Sequence, residues 1–258
     1  DGENSIVQKG SNAVAFGVNS TAFGTSTTNA KDRGITEEST NEEIVEEWTS
    51  SDPESDKFAL SKGEASHVEG NNCLALGKNS HAEGNGTIAY NNSSHSEGTG
   101  TKAVGKYAHA EGLETIAEGR AAHAEGLNTV ASGPSAHAEG EDTIASEDCS
   151  HAEGYNNTVY TGAGSSHVEG SGTEVRNSRE HAQGSFNVSH TKTNHGFNGD
   201  SEKTLHSIGI CSSNSDRKNA VEVMQNGDVY INGVGGYDGT NPGSSGVKTL
   251  QQSIGGSS

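Results

Sequence analysis

Between Ser66 and Gly184 one short phrase, His-Ala-Glu-Gly with small variations, returns nine times. Its histidines are His67, His81, His95, His109, His123, His137, His151, His167 and His181. Seven of the eight intervals are fourteen residues, and the exception, His151 to His167, is sixteen. A unit this small cannot bury a core of its own, so a fixed short period means that each copy is stacked on the next. This feature limits the chain to a solenoid.

The fourteen residues divide into two heptads. The first reads small-His-Ala-Glu-Gly-x-x. The second reads Thr-Ile-Ala-x-Gly-x-x, as in Thr115-Ile116-Ala117-Glu118-Gly119 and Thr129-Val130-Ala131-Ser132-Gly133. Each heptad is expected to form a strand of five residues and a turn of two, two heptads making one flat coil. The phrase ends in glycine in every copy: Gly70, Gly84, Gly98, Gly112, Gly126, Gly140, Gly154, Gly170 and Gly184. Either a positive φ or a backbone approach too close for a Cβ explains that insistence. Alternation along a strand places Ser80, Ala82 and Gly84 on one face with His81 and Glu83 opposite, and Thr87 and Ala89 on one face with Ile88 and Tyr90 opposite. The small residues of both strands must point into the coil, which gives an all-β, thin two-sheet parallel β-roll. At ~4.8 Å per stacked strand, nine or ten coils would make a rod on the order of 45 Å long.

Composition supports a thin roll rather than a globular core. Hydrophobic residues make up 28% of the chain and aromatic ones 5%, against 36 glycines with one Trp and one Met. An interior lined by Ala, Ser and Thr buries little apolar surface, so further stabilisation is expected from association through an outer face. Two outer faces are on offer. One carries the His/Glu pairs; the other carries Leu74, Ile88, Lys102, Ile116, Val130 and Ile144, then drifts to Glu174 and Val188.

The formal net charge of -19 argues against a nucleic-acid partner, which requires a basic surface. There is no long apolar span, so no direct membrane insertion is expected in this segment. The three cysteines, Cys73, Cys149 and Cys211, are far apart and lack metal-type spacing, which points to isolated thiols rather than a disulfide framework. The chain begins at Asp1 without an initiator Met or a signal-like region, as a processed product or a piece of something larger would.

In chain order, residues 1–24 hold the first coils, with Val14 and Phe16 on one face and Ala13 and Ala15 on the other. Residues 25–57 form an acidic insertion, read as a loop excursion from the repeat body. Within it Thr40 to Trp48 has the marks of a short helix. Thr40 or Asn41 can cap it, its first turn is acidic, Ile44, Val45 and Trp48 give an apolar side, and Pro53 follows. Trp48 is the residue by which such an insertion could serve recognition. Residues 58–196 are the repeat body, with its two-residue irregularity read as a bulged turn at Tyr155–Thr158 and a further histidine in phase at His195. Residues 197–234 read as a C-terminal β-hairpin module capping the roll. Its strands are Leu205–Ile210, Val221–Met224 and Val229–Ile231, its turn is at Asn226-Gly227, and Arg217 and Lys218 form a small cationic cluster. Residues 235–258 are a Gly/Ser-rich tail.

The His/Glu series invites three chemical readings. As a metal site, His and Glu at i and i+2 are legitimate ligands, yet every layer would then need an ion and no layer shows an additional carboxylate. As a catalytic site it lacks the single distinctive constellation of nucleophile, base and orienting group. The sequence points to no catalytic residue, metal ligand or cofactor site. The third reading is structural. His is invariant among the nine copies and Glu changes once, in the series Glu69, Glu83, Glu97, Glu111, Glu125, Glu139, Glu153, Glu169 and Gln183. The opposite face varies freely among Ile, Lys, Val and Glu. Packing against a neighbour tolerates less variation than solvent does, so His and Glu are expected at an inter-subunit contact. His81→Ala should then weaken an oligomer more than Ile88→Thr. The rival arrangement puts the Leu74 and Ile88 series at the contact.

The heptads Ala13-Val14-Ala15-Phe16-Gly17 and Cys73-Leu74-Ala75-Leu76-Gly77 resemble the head repeats of YadA-like trimeric autotransporter adhesins, in which small-Val-Ala-Ile-Gly alternates with Ser-x-Ala-x-Gly. The resemblance covers residues 11–24 and 58–196. It implies a left-handed parallel β-roll, three copies of which associate side by side about a common axis. The Ser-His-Ala-Glu-Gly variant, followed by Arg217-Lys218-Asn219-Ala220 and Gly227-Asp228-Val229-Tyr230-Ile231, also resembles repeats of bacteriophage tail fibres. The implied function is that of a homotrimeric, non-enzymatic head segment on a bacterial surface or virion, a rigid scaffold for attachment to a host surface protein or glycan. The rival classes are a glycan-degrading tail-spike domain and a purely structural fibre.

Overall fold

The structure, a computed structural model, describes residues 6–7, 14–25, 30–50, 58–190, 203–240, 242 and 247–255. Ala13, Pro53 and His195, with parts of the expected first coils, insertion and tail, lie outside the described residues. The chain divides into two compact units, 1–134 and 135–258, with the boundary inside the repeat body.

In the first unit the long strands stack in parallel and in register. Thr21–Thr25 pairs with His67–Asn71, which pairs with His81–Asn85, followed by His95–Thr99, His109–Leu113 and His123–Leu127. A second parallel sheet runs Val14–Ala15, Leu60–Ser61, Leu74–Ala75, Ile88–Ala89, Lys102–Ala103, Ile116–Ala117 and Val130–Ala131. Like lies on like: His81 opposes His95, and Glu83 opposes Glu97. In the second unit His137–Glu141, His151–Tyr155, His167–Val168 and His181–Ser185 continue the same pattern, beside Ile144–Ala145, Thr158–Val159 and Glu174–Val175. The fold is a parallel β-roll with about fourteen residues per coil, as its period requires.

The interior is built from the residues that alternation assigns to it. Ala82, Ala89, Ala110, Ala117, Thr87 and Thr115 are buried. Hydroxyls close the coil. Ser80 Oγ donates to the Gly77 carbonyl at 2.6 Å, and Thr115 Oγ1 donates across the glycine turn to the Glu111 carbonyl at 3.1 Å. Gly84 shows why the phrase must end in glycine. It has φ +109°, and a Cβ there would lie 2.0 Å from the Gly98 carbonyl oxygen of the next coil. Both expected reasons apply at once.

Two expectations about the coil are corrected. The second strand has two residues rather than five, as in Ile88–Ala89. The residues after it already belong to a turn, in which Ser93 takes φ +55° and Ser94 donates to the Asn91 carbonyl from both N and Oγ. The extra pair of residues does not sit at Tyr155–Thr158. Ile144 pairs with Thr158 at the regular spacing, whereas Val159 pairs with Val175 sixteen residues on. The added length is accommodated in the turn that follows Tyr160, where Ala163 N bonds to the Tyr160 carbonyl and Ser166 Oγ to the Ala163 carbonyl.

The insertion takes no place in the stack, since Thr21–Thr25 sits directly on His67–Asn71. It folds back over the second sheet instead. A 3-10 turn, Ala30–Arg33, leads to helix α1, Asn41–Ser50. Thr40 and Glu43 form a reciprocal cap, with Glu43 N bonding to Thr40 Oγ1 at 3.2 Å and Thr40 N to Glu43 Oε2 at 2.8 Å. Ile44 and Trp48 pack into one cluster with Val14, Phe16, Leu60, Leu74, Leu76 and Ile88. Trp48, the candidate for a recognition role, is 4% exposed, and its Nε1 donates to the Phe58 carbonyl at 3.2 Å. Its large apolar ring finds in the outward Leu and Ile ladder the core that an alanine-lined coil lacks, so it faces its own chain.

Beyond the last regular coil, Thr204–Ile210 adds in parallel to His181–Ser185, with Asn219–Met224 and Val229–Ile231 continuing antiparallel. Met224, Tyr230 and Tyr237 form a small core there. Cys73, Cys149 and Cys211 are free thiols.

Candidate inter-subunit surface

The long strand of each coil begins at His and carries Glu two residues later, so both side chains leave the same face. Parallel in-register pairing then repeats the pair at one strand spacing, and the imidazoles stack. In the first unit His81, His95, His109 and His123 have ring centroids 4.7–4.8 Å apart and planes within 6° of parallel. His67 caps that stack edge-on at 69°. In the second unit His137, His151, His167 and His181 stack at 4.6–5.0 Å and within 7°. His206 closes this run edge-on at 78°.

His206 was not singled out by the repeat. It pairs with His181, and Gly209 with Gly184, so His206-Ser207-Ile208-Gly209 occupies one more turn of the phrase. The signal was present in its likeness to His95-Ser96-Glu97-Gly98, but a twenty-five-residue interval hid it.

The carboxylates flank the stack without fully engaging it. In the first unit His81 Nε2 lies 3.4 Å from Glu83 and His95 and His109 each lie 3.5 Å from the Glu of their own coil. In the second unit the contact is to the preceding coil, His151 to Glu139 at 3.3 Å and His167 to Glu153 at 3.0 Å, the latter a hydrogen bond. The Nε2 atoms of His81, His95, His109, His151 and His181 are covered yet have no hydrogen-bond partner of good geometry. The side chains remain about one-third exposed, at 35% for His81. Each of these nitrogens has beside it a carboxylate at 3.3–3.6 Å, a loose contact that recurs along one face.

Burial and then the neighbouring imidazoles hold His81, His109 and His151 below the ordinary histidine value, against the pull of adjacent glutamates. Burial and His181 do the same to His206. These rings are neutral near pH 7, which is what stacking requires.

Triplets such as His81, Glu83 and His95 place three ligand atoms within 4.8 Å of one another. Parallel rings, however, project their nitrogens side by side rather than toward a point. An ion at ~2.0–2.1 Å from each nitrogen would require the rings to splay out of the stack. The arrangement suits packing better than coordination.

The opposite outer face is disposed differently. In the first coils Leu74 and Ile88 lie under the insertion. Lys62 reinforces the cover through the Ser39 carbonyl and Asn41 Oδ1, and Tyr90 OH donates to Glu42 at 2.5 Å. Among the described residues no helix is long and apolar enough to cross a membrane.

A family model described as the YadA head domain repeat (two copies) matches residues 9–28, 63–90 and 124–146. No curated protein and no solved structure matches the chain.

Proposed function

We propose that this chain, whose coils are YadA-like head repeats, is a segment of a homotrimeric, surface-displayed attachment head in which three rolls meet through their His/Glu faces. The observation that carries this reading is a face that repeats the same part-exposed His/Glu pair in register from coil to coil, while the chain's own insertion occupies the opposite face over Leu74 and Ile88. A second copy laid against the ladder can cover its part-exposed imidazole rings and pair with its part-exposed carboxylates. A copy laid against the other face of the first coils would have to displace a docked helix. The roll is then a rigid scaffold that presents attachment sites away from its base, with no catalytic role. Paired imidazoles and carboxylates at such a contact fix register more than they add net stability.

Sedimentation velocity tests the contact. Ile88 is covered within its own chain, so the informative comparison pairs His81→Ala with Ile116→Thr on the part-exposed second sheet. The wild type is expected to sediment as a trimer. His81→Ala should raise the dissociation constant by about tenfold or more, and Ile116→Thr should change it little. A trimer weakened equally, or more, by Ile116→Thr would overturn the assignment.

A further inference from the structure

In the second unit the outward side chains of the second sheet change character. Ile144 is followed by Thr158 and then Glu174, and the adjoining column runs Ser146, Tyr160, Arg176. Beside them the 3-10 turn Asn214–Asp216 and Arg217 form the other wall of a groove of about 320 Å3. Tyr160, Asn156, Thr158 and Glu174 line it from the coils, and Asn214 and Arg217 from the C-terminal module.

The groove is held rigid before any ligand arrives. The Glu174 carboxylate accepts from Arg176 Nε and Nη2 at 3.3 and 3.2 Å and lies 3.6 Å from Arg217 Nη2. Arg217 also donates to Asn214 Oδ1 at 2.5 Å and to the Asn187 carbonyl at 2.9 Å. The Asn187 amide in turn clamps the Glu174 backbone, accepting from its N–H at 2.7 Å and donating to its carbonyl at 2.8 Å. The Arg176 guanidinium stacks 3.9 Å from the Tyr160 ring centroid, fixing an aromatic side chain that stays 38% exposed.

This chemistry selects a ligand class. Hydroxyls, two amides and a carboxylate line the groove with one aromatic side chain and no apolar wall, which suits a small molecule covered in hydroxyls. Both guanidiniums already face Glu174, and the whole chain carries -19, so an anion gains little there. An apolar ligand would bury polar groups without compensation. We propose that the groove binds an uncharged saccharide, a role that rests on reading the chain as an attachment head and that names what it would attach to. Lying on the second sheet, the groove stays open when the His/Glu face is occupied.

The full chain is tested by biolayer interferometry on immobilised neutral oligosaccharides ending in hexose or N-acetylhexosamine, beside sialylated and sulfated counterparts. Saturable binding to at least one neutral glycan is expected, weakened about tenfold or more by Tyr160→Ala and by Asn214→Ala. Asn214 is exposed in its turn, so its variant should keep the wild-type circular dichroism and sedimentation. Absence of neutral-glycan binding, binding confined to charged glycans, or full binding by both variants would overturn the groove. Adhesion to cells is scored separately. Cell binding that survives both variants keeps the attachment reading and removes the groove. Glycan binding that both variants abolish, without any cell adhesion, keeps the groove and removes the attachment reading.

Discussion

Glu180 stands where other coils place Ser or Ala, the residue just before the histidine, and it is fully buried. Its Oε2 accepts from Arg176 N, Asn177 N, Asn177 Nδ2 and Ser189 Oγ at 2.8–3.2 Å, while Oε1 has no partner. Burial outweighs those bonds and pushes the carboxyl up to about 8. The native chain therefore keeps a proton that the unfolded chain releases above ~4.5, so this group lowers stability progressively as pH rises from about 4.5 to about 8. Glu180→Gln keeps an acceptor for the four donors and cannot ionise. Urea unfolding of variant and wild type should give similar stabilities near pH 4.5 and a variant advantage on the order of a few kcal/mol by pH 8. Parallel pH profiles would sink the assignment. Glycine and alanine columns were legible in the sequence because each serves the same steric demand in every coil. Glu180 was not, since a charged residue beside a turn reads as solvated until its burial is seen.

At the scale of elements, the period dictated coil, register and facing, because a like-on-like parallel stack is the arrangement that gives every copy the same surroundings. Helix α1 was legible as a helix from Thr40, the acidic first turn and the apolar side of Ile44, Val45 and Trp48. Where it docks was not legible, because an apolar stripe records that something is covered and does not say what. The docking adds to the coils the large-residue core that their own interiors lack. Trp48→Ala should therefore destabilise the first unit by about 3–5 kcal/mol, whereas Glu46→Ala on the exposed side should cost under about 0.5 kcal/mol. Denaturant unfolding followed by far-UV circular dichroism reads both, since Trp48 is the chain's one tryptophan. A small loss for Trp48→Ala would mean that the helix is not held by its indole. The lengthened turn after Tyr160 teaches a related lesson. Sixteen residues between histidines announced an insertion, yet only pairing could place it after the second strand rather than before.

Over the whole molecule, both units present a run of stacked imidazoles, and this makes acid the natural probe of the assembly. Burial and neighbouring rings hold His81, His109, His151 and His206 below their ordinary value of 6.5. These four rings thus bind fewer protons in the folded than in the unfolded chain below about pH 6.5, so folding and any association that keeps them covered lose stability as pH falls through that window. Glu180 acts with the opposite sign, which makes the Glu180→Gln background the cleaner one for this measurement. In it, sedimentation velocity from pH 7.5 to 5 should show the trimer giving way to smaller species below about pH 6.5. Combining His81→Gln with His109→Gln leaves the formal charge at neutral pH unchanged and removes two protonation sites. The pH dependence of the dissociation constant should become shallower, whatever the variant does to its absolute value. Added salt should also recover part of the lost association, because it screens repulsion between imidazolium neighbours held 4.7–4.8 Å apart. A trimer that is indifferent to pH across this range would place the ladder in solvent and move the subunit contact to the other sheet.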